Sequence, residues 1–346
     1  MSNIFNFKDN ITEYELDEVA NTIREGKLVV FPTETVYGIG TNALDGLSCK
    51  KIYEAKGRPS DNPLIVHVSD FDMLKKYVSE ISDTEKKLID TFMPGPFTLI
   101  LKKKDVIPDT ISAGLDTVGI RMPSNNIAHE IIKRAGVPIA APSANVSGKP
   151  SGTNIDDIKK ELLDKVSIMI DGGSSDIGLE STVVKVVDDV PVILRPGKVS
   201  KEDIESVVGK VIVDKNVLGK VKEDEKVESP GMKHKHYAPN TKCVLVYFDN
   251  EKKQINEVNK LLLENENACV IGYEEHMSKI NAKRFINMGK IDNLNEISNN
   301  IFSSLRKADN MNCDLIIIEG TKKEGIGLAI MNRLIRACNY DVKEEI

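Results

Sequence analysis

The sequence predicts an α/β protein in two parts: a mixed, twisted, open sheet with flanking helices, then a smaller Rossmann-like parallel α/β domain. Three observations predict this. A chain of 346 residues is longer than one hydrophobic core usually organises. Before residue 209, apolar runs of strand character outnumber helical periodicities, and several follow one another directly. A strictly alternating parallel sheet would not read that way. From residue 243 onward, strand and helix patterns alternate cleanly, the order expected of parallel βα units.

Taken in order, Thr12-x-x-Glu15 is a capping box. Leu16, Val19, Ala20 and Ile23 then mark one helical face that stops at Gly26. Residues 28–31 are a short apolar strand halted by Pro32. Further strands are predicted at 63–68, 97–101, 118–122, 167–170, 181–187 and 192–194, where β-branched residues cluster between turn formers. Helices are predicted at 127–134, 155–163 and 201–208. The expected domains are 1–209, a connecting linker or lid over 210–240 and a second domain over 241–346. The linker reading rests on the Lys-, Glu- and Asp-rich stretch 213–228, which has no sustained apolar face. In the second domain, strands are predicted at 243–248, 268–273 and 315–319, and helices at 255–263, 297–308 and 328–338.

Composition narrows the function. The chain is 40% hydrophobic and 29% charged, a globular balance. No apolar run approaches the roughly 20 residues that span a bilayer. Residues 1–9 show neither a basic start nor an apolar centre, which predicts no secretory leader and a cytoplasmic setting. The five cysteines are scattered and never spaced Cys-x-x-Cys; they read as buried thiols rather than a zinc site or disulfide framework. A net charge of −6 argues against broad adhesion to nucleic acid.

Two nucleotide motifs are disposed of quickly. There is no Walker A sequence. Gly38-x-Gly40-x-x-Ala43 fits a loose dinucleotide fingerprint, but residues 32–37 separate it from the preceding strand, so its glycines read as loop residues. The informative cations lie elsewhere. Lys56 and Arg58 flank Gly57, and in a loop both side chains could be aimed at one anion. Arg121 and Arg195 each close an apolar strand just before a proline, which places them at the rim of a sheet. Pro142-Ser143-Ala144-Asn145 and the stretch 147–153 add short donors on small-residue loops, where exposed backbone N–H groups form anion-binding concavities. Together these favour a polyanionic ligand.

Lys56, Arg58, Ser143 and Asn145 form a Lys-x-Arg … Ser-x-Asn pattern that resembles the threonylcarbamoyl-AMP synthase family. Similar stretches are 32–40, 62–68, 94–96, 179–184 and 194–197. Ser229-Pro230-Gly231-Met232, His236-Tyr237-Ala238-Pro239 and 329–334 resemble its long form. Departures from the family pattern are Met93, Asn125, Gly152 and Lys185, and Gly152 is expected to loosen the loop around Ser151. The resemblance implies a YrdC-like first domain that joins L-threonine, bicarbonate and ATP into threonylcarbamoyl-AMP, releasing pyrophosphate. The product would serve N6-threonylcarbamoyladenosine formation at position 37 of tRNA through a downstream transferase.

It further implies Lys56, Arg58, Ser143 and Asn145 as catalytic residues. Arg58, Asn62, Thr117, Ser143, Ser151, Arg195 and Tyr237 would hold ATP, and Thr35, His67, Arg121, Ala141 and Ser181 would hold L-threonine. Mg²⁺ is expected with the nucleotide, with no protein metal site and no tightly bound organic cofactor. A monomer without membrane association is expected. Two rival readings remain: an RNA-binding module that uses the Lys56/Arg58 groove with weak, salt-sensitive affinity, and carbamoyl transfer from carbamoyl phosphate.

Overall fold

A computed structural model describes residues 3–221, 227–231 and 236–345. Part of the expected linker and Met232 of the Ser-Pro-Gly-Met motif lie outside these. Counting described residues, one compact unit is built from Met1–Ser147, Gly152–Asp176 and Glu180–Lys233. The other is built from Gly148–Ser151, Ile177–Leu179 and His234–Ile346.

The first unit opens with β1 (Asn3–Asn6), α1 (Glu13–Arg24), β2 (Val29–Phe31), β3 (Gly38–Asn42) and α2 (Gly46–Lys56). It continues through β4 (Ile65–His67), α3 (Phe71–Tyr77), α4 (Asp83–Phe92), β5 (Phe97–Lys102), α5 (Asp109–Ser112) and β6 (Thr117–Arg121). Then come α6 (Asn126–Ala135), β7 (Ile139–Ala140), α7 (Ile155–Leu162), β8 (Ile168–Asp171), β9 (Thr182–Val187) and β10 (Val190–Arg195). It closes with α8 (Lys201–Val208) and β11 (Ile212–Val213).

The strands form an 11-stranded sheet in the order β1-β8-β2-β3-β7-β4-β6-β5-β9-β10-β11. It is mixed: β4 runs parallel to β6, whereas β3, β7 and β4 pair antiparallel in turn. A large apolar core holds it, with Ile23, Val30, Phe31, Ile39, Ile52, Leu74, Phe97, Ile120 and Ile132 essentially dry, and a smaller cluster joins Ile100, Val183, Leu194 and Val227. The capping box forms at Thr12 as expected, and a second one, Ser82 with Glu85, starts α4.

Three local expectations change. Residues 38–42 are not a loop but strand β3, and its glycines serve packing. A Cβ on Gly40 would lie 2.6 Å from Ile139 Cγ2 and 2.9 Å from the Phe31 ring, so the strand sits closer to its neighbours than any side chain allows. Lys56 is not in a loop either: it is the last residue of α2, which Asp45 caps and Gly57 ends at φ +61°. Gly152 loosens nothing, because a Cβ there would meet Ile158 Cγ1 at 2.2 Å.

Of the segment read as a linker, the described residues 210–221 and 227–231 belong to the first unit and 236–240 to the second. Ile212 and Val213 pair with β10, Val217 and Val227 are buried, and Glu228 takes Lys185 at 2.7 Å. Lys185, a departure from the family pattern, thus has a local partner.

The second unit carries β12 (Lys242–Tyr247), α9 (Glu251–Glu264), β13 (Ala268–Gly272), β14 (Phe285–Asn287), α10 (Leu294–Asp309), β15 (Leu315–Glu319), α11 (Ile326–Ala337) and β16 (Val342–Glu344). All five strands run parallel, in the order β14-β13-β15-β12-β16. Val244, Val246, Val258, Val270 and Ile317 form its dry centre. The predicted alternation is present; the short edge strands β14 and β16 carry too little apolar pattern to be read in advance.

Candidate active site

Seven neighbouring strands, from β3 through β7, β4, β6, β5 and β9 to β10, carry most of the expected residues in one row. Gly38 bridges Ser143. The Ala141 N–H donates to Ile65 O at 2.9 Å. His67 and Arg121 are register partners at the carboxyl ends of the parallel strands β4 and β6, and Arg121 also lies opposite Thr98 of β5. Thr98 Oγ1 sits 2.7 Å from Ser181 Oγ. Arg195, ending β10, donates from Nε to Ser181 O and from Nη2 to Ser181 Oγ, both at 3.1 Å.

Thr35 reaches the row from the β2–β3 connection: Arg121 Nη1 donates to Thr35 Oγ1 at 2.8 Å, and Arg121 Nη2 lies 2.8 Å from Glu34 Oε1.

The Lys56 ammonium points inward rather than at a ligand. It donates to Ser143 O at 2.5 Å and Asn145 O at 2.6 Å, with Asn145 Oδ1 at 3.5 Å. Its three donors thus pin the carbonyls of the Ser-x-Asn loop, while Ser143 Oγ donates to Asn145 Oδ1 at 2.6 Å. Arg58 Nη2 spans the carbonyls of Asn62 and Pro63 at 3.4 and 3.1 Å. Exposures of Lys56, Arg58, Arg121 and Arg195 are 1%, 8%, 5% and 6%. These cations therefore do not make a solvent-facing groove for RNA phosphates.

Burial pulls the Lys56 pKa well below its ordinary value, repulsion from Arg58 adds to this, and Glu161 and Glu180 oppose it. Burial works to raise the Glu34 carboxyl, but Arg121 and backbone donors outweigh it and hold the value low. His67 falls to about 3, first through burial and then through repulsion by Arg121, with Glu34 opposing. His67 is therefore neutral at working pH.

A stability prediction follows from its sign. Below pH ~6.5 the unfolded chain takes up a proton at this position that the folded chain refuses. The contribution is complete above pH ~6.5 and fades towards pH 3, by at most about 1.4 kcal/mol per unit. Urea unfolding of His67→Gln at pH 5 and 7 should show a shallower pH dependence than wild type. An identical slope would contradict the assignment.

Two buried atoms of the row, His67 Nδ1 and Arg121 Nε, have no hydrogen-bond partner among the described residues, and neither has Asn62 Oδ1 ahead of β4. Buried polar groups are nearly always satisfied, so these are the places a polar ligand would complete. The structure does not bring Thr117 into the row. It starts β6, four residues or roughly 13 Å from Arg121 at ~3.3 Å per residue, and its Oγ1 donates to Glu228 at 3.3 Å. Ser151 and Tyr237 belong to the second unit; Ser151 is buried, and Tyr237 stacks on Phe302 with the Arg333 guanidinium over its ring.

The family described as Telomere recombination, Sua5/YciO/YrdC, matches residues 21–197, and Threonylcarbamoyl-AMP synthase, C-terminal domain, matches 199–339. The chain is 43% identical to the threonylcarbamoyl-AMP synthase of Pyrococcus abyssi over 99% of both chains. It is 42% identical to that of Bacillus subtilis over 93% of this chain and 92% of that one. The chain belongs to the threonylcarbamoyl-AMP synthase family. Its fold matches the crystal structure of P. abyssi Sua5 complexed with L-threonine at a TM-score of 0.93 and 40% identity, covering 99% of each chain. As a threonylcarbamoyl-AMP synthase it is a nucleotidyltransferase, and no described helix is long and apolar enough to cross a membrane.

Two residues of this synthase's row were not singled out from the sequence. Glu34 pairs with Arg121, and its signal was a lone carboxylate inside the 32–40 stretch. Thr98 meets both Arg121 and Ser181; it is the one hydroxyl in the apolar run 97–101. Gly197 in turn lets the chain after β10 press on the Ser181 segment: a Cβ there would lie 2.4 Å from Thr182 N and 2.8 Å from Glu180 O. Because those atoms are backbone, Gly197→Ala should cost about 1–3 kcal/mol and lower turnover through Ser181. An unchanged melting temperature would contradict this.

Proposed function

We propose that the row of buried polar groups converts L-threonine, bicarbonate and ATP into threonylcarbamoyl-AMP, pyrophosphate and water, for N6-threonylcarbamoyladenosine at tRNA position 37. The observation that carries the reading is Arg121 with its surroundings. A guanidinium at a strand end, beside its register partner His67 with the partnerless Nδ1, suits the carboxylate and polar groups of a small amino acid. The relative crystallised with L-threonine supports the same substrate. In the resemblance-based assignment, Thr35, His67, Arg121, Ala141 and Ser181 hold threonine, while Arg58, Asn62, Thr117, Ser143, Ser151, Arg195 and Tyr237 hold ATP.

The threonine amine adds to CO₂ derived from bicarbonate, losing a proton and forming an N-carboxylate. A carboxylate oxygen then attacks the α-phosphorus and pyrophosphate leaves. Since that oxygen is already nucleophilic, the residues need only align it and stabilise charge on the phosphoryl group. Among the described residues no group of three or more His, Cys, Asp or Glu could hold a metal. Mg²⁺ would enter as an ion carried on the triphosphate, with phosphate oxygens and water as its ligands.

Pyrophosphate release from ATP tests the reading. It should require both threonine and bicarbonate; release that persists when either is omitted would overturn it.

A further inference from the structure

The second unit contains a cavity of about 310 Å³ that the proposed reaction does not use. It opens at the carboxyl ends of β12, β13 and β15, where open α/β sheets receive ligands: Tyr247 ends β12, Tyr273 follows β13, and Gly320 and Thr321 follow β15. Behind it lies a polar cluster that a parallel sheet does not need for packing. Glu319 is 0% exposed and accepts from Gln254 Nε2 at 3.0 Å, the Tyr273 N–H at 3.1 Å and His276 Nδ1 at 2.7 Å. Gly272 makes room for it, since a Cβ there would lie 2.4 Å from Glu319 Oε2. A buried carboxylate is tolerated only when bonded this fully.

His276, 1% exposed, lines the cavity, with Nε2 3.4 Å from Glu251. Glu319 accepts from His276, which raises the His276 pKa, and the bonded pair forms a rigid back wall.

In front of that pair the cavity is lined by the carboxylates of Asp249, Glu251 and Asp292 and by the ammonium of Lys322. Lys279 already holds Glu251 at 2.5 Å, whereas Asp292 has no ion pair or hydrogen bond among the described residues. Tyr247, Phe248 and Tyr273 supply aromatic walls. Carboxylates beside aromatic rings attract cations and repel phosphates. The apolar and aromatic lining suits a cation that carries an organic body.

We propose that this cavity binds a small organic ammonium ion, its charge against Asp249 and Asp292 and its apolar body against Tyr247, Phe248 and Tyr273.

Isothermal titration of the full-length protein with tyramine tests this, with the neutral isostere tyrosol and the anion 4-hydroxyphenylacetate as controls. Tyramine should saturate one site, with both controls at least about tenfold weaker, as loss of a cation–π contact and an ion pair implies. The exposed substitution Asp292→Asn should weaken tyramine about fivefold while leaving threonine- and bicarbonate-dependent pyrophosphate release unchanged. Thr321→Trp, which fills the cavity, should abolish binding. Absence of saturable heat up to about 10 mM tyramine, equal binding of tyrosol, or wild-type affinity in Asp292→Asn would each overturn the proposal.

Discussion

Lys56→Ala should lower threonylcarbamoyl-AMP formation by about 10²–10³ and, at the same time, destabilise the protein. The side chain is 1% exposed and its ammonium bonds the carbonyls of Ser143 and Asn145. Removing it takes the ammonium from both carbonyls, of which Ser143 O keeps only the Asn145 N–H at 3.1 Å, at a cost of about 1–3 kcal/mol, and leaves a void beside α2. The rate falls because the Ser-x-Asn loop is no longer held, not because a phosphate contact is lost. Lys56→Met separates the effects: it refills the volume without restoring the donors, so stability should recover in part and turnover should not. Stability and turnover both at wild-type levels in Lys56→Ala would refute the strut.

Arg121→Ala should raise the threonine KM by two orders of magnitude or more, since truncating one partner of a desolvated charge pair costs about 2–5 kcal/mol. The same change leaves the Glu34 carboxylate, 5% exposed, without the guanidinium at 2.8 Å. The Glu34 carboxyl would then titrate higher than in the wild type, because burial is the largest influence on it and only the backbone donors at Glu34 and Ser124 still oppose it. The double variant Glu34→Gln/Arg121→Ala should therefore be more stable than Arg121→Ala while binding threonine no better. Steady-state kinetics and thermal unfolding of the three proteins check this. An Arg121→Ala enzyme with unchanged KM would remove threonine from this position.

Much of this was legible in the residues. Apolar runs such as 28–31, 97–101 and 118–122 appear as strands, because burial on both faces leaves an unbroken β-branched pattern. The arginines at strand ends were legible for the same reason. What one sequence could not show is strand direction. His67 and Arg121 meet because β4 and β6 run parallel, and Thr117 is left behind because it starts the strand that Arg121 ends. Helix α2 was missed because its apolar stripe, Cys49, Ile52 and Tyr53, is interrupted by charged residues, so Lys56 was read as loop. Two-residue strands such as β7 and β11 exist only through their neighbours in the sheet.

The arrangement of the row has a consequence for how the enzyme comes into being. Its partners are far apart in the chain, Thr35 with Arg121 and Thr98 with Ser181, and β10 completes it. A nascent chain halted before Arg195 lacks the last cation of the row. Such distant pairings close slowly, so catalytic competence should emerge in a single late event. Occupancy by substrate would then brace every strand from β3 to β10 together, and the first unit should melt cooperatively at a higher temperature when saturated.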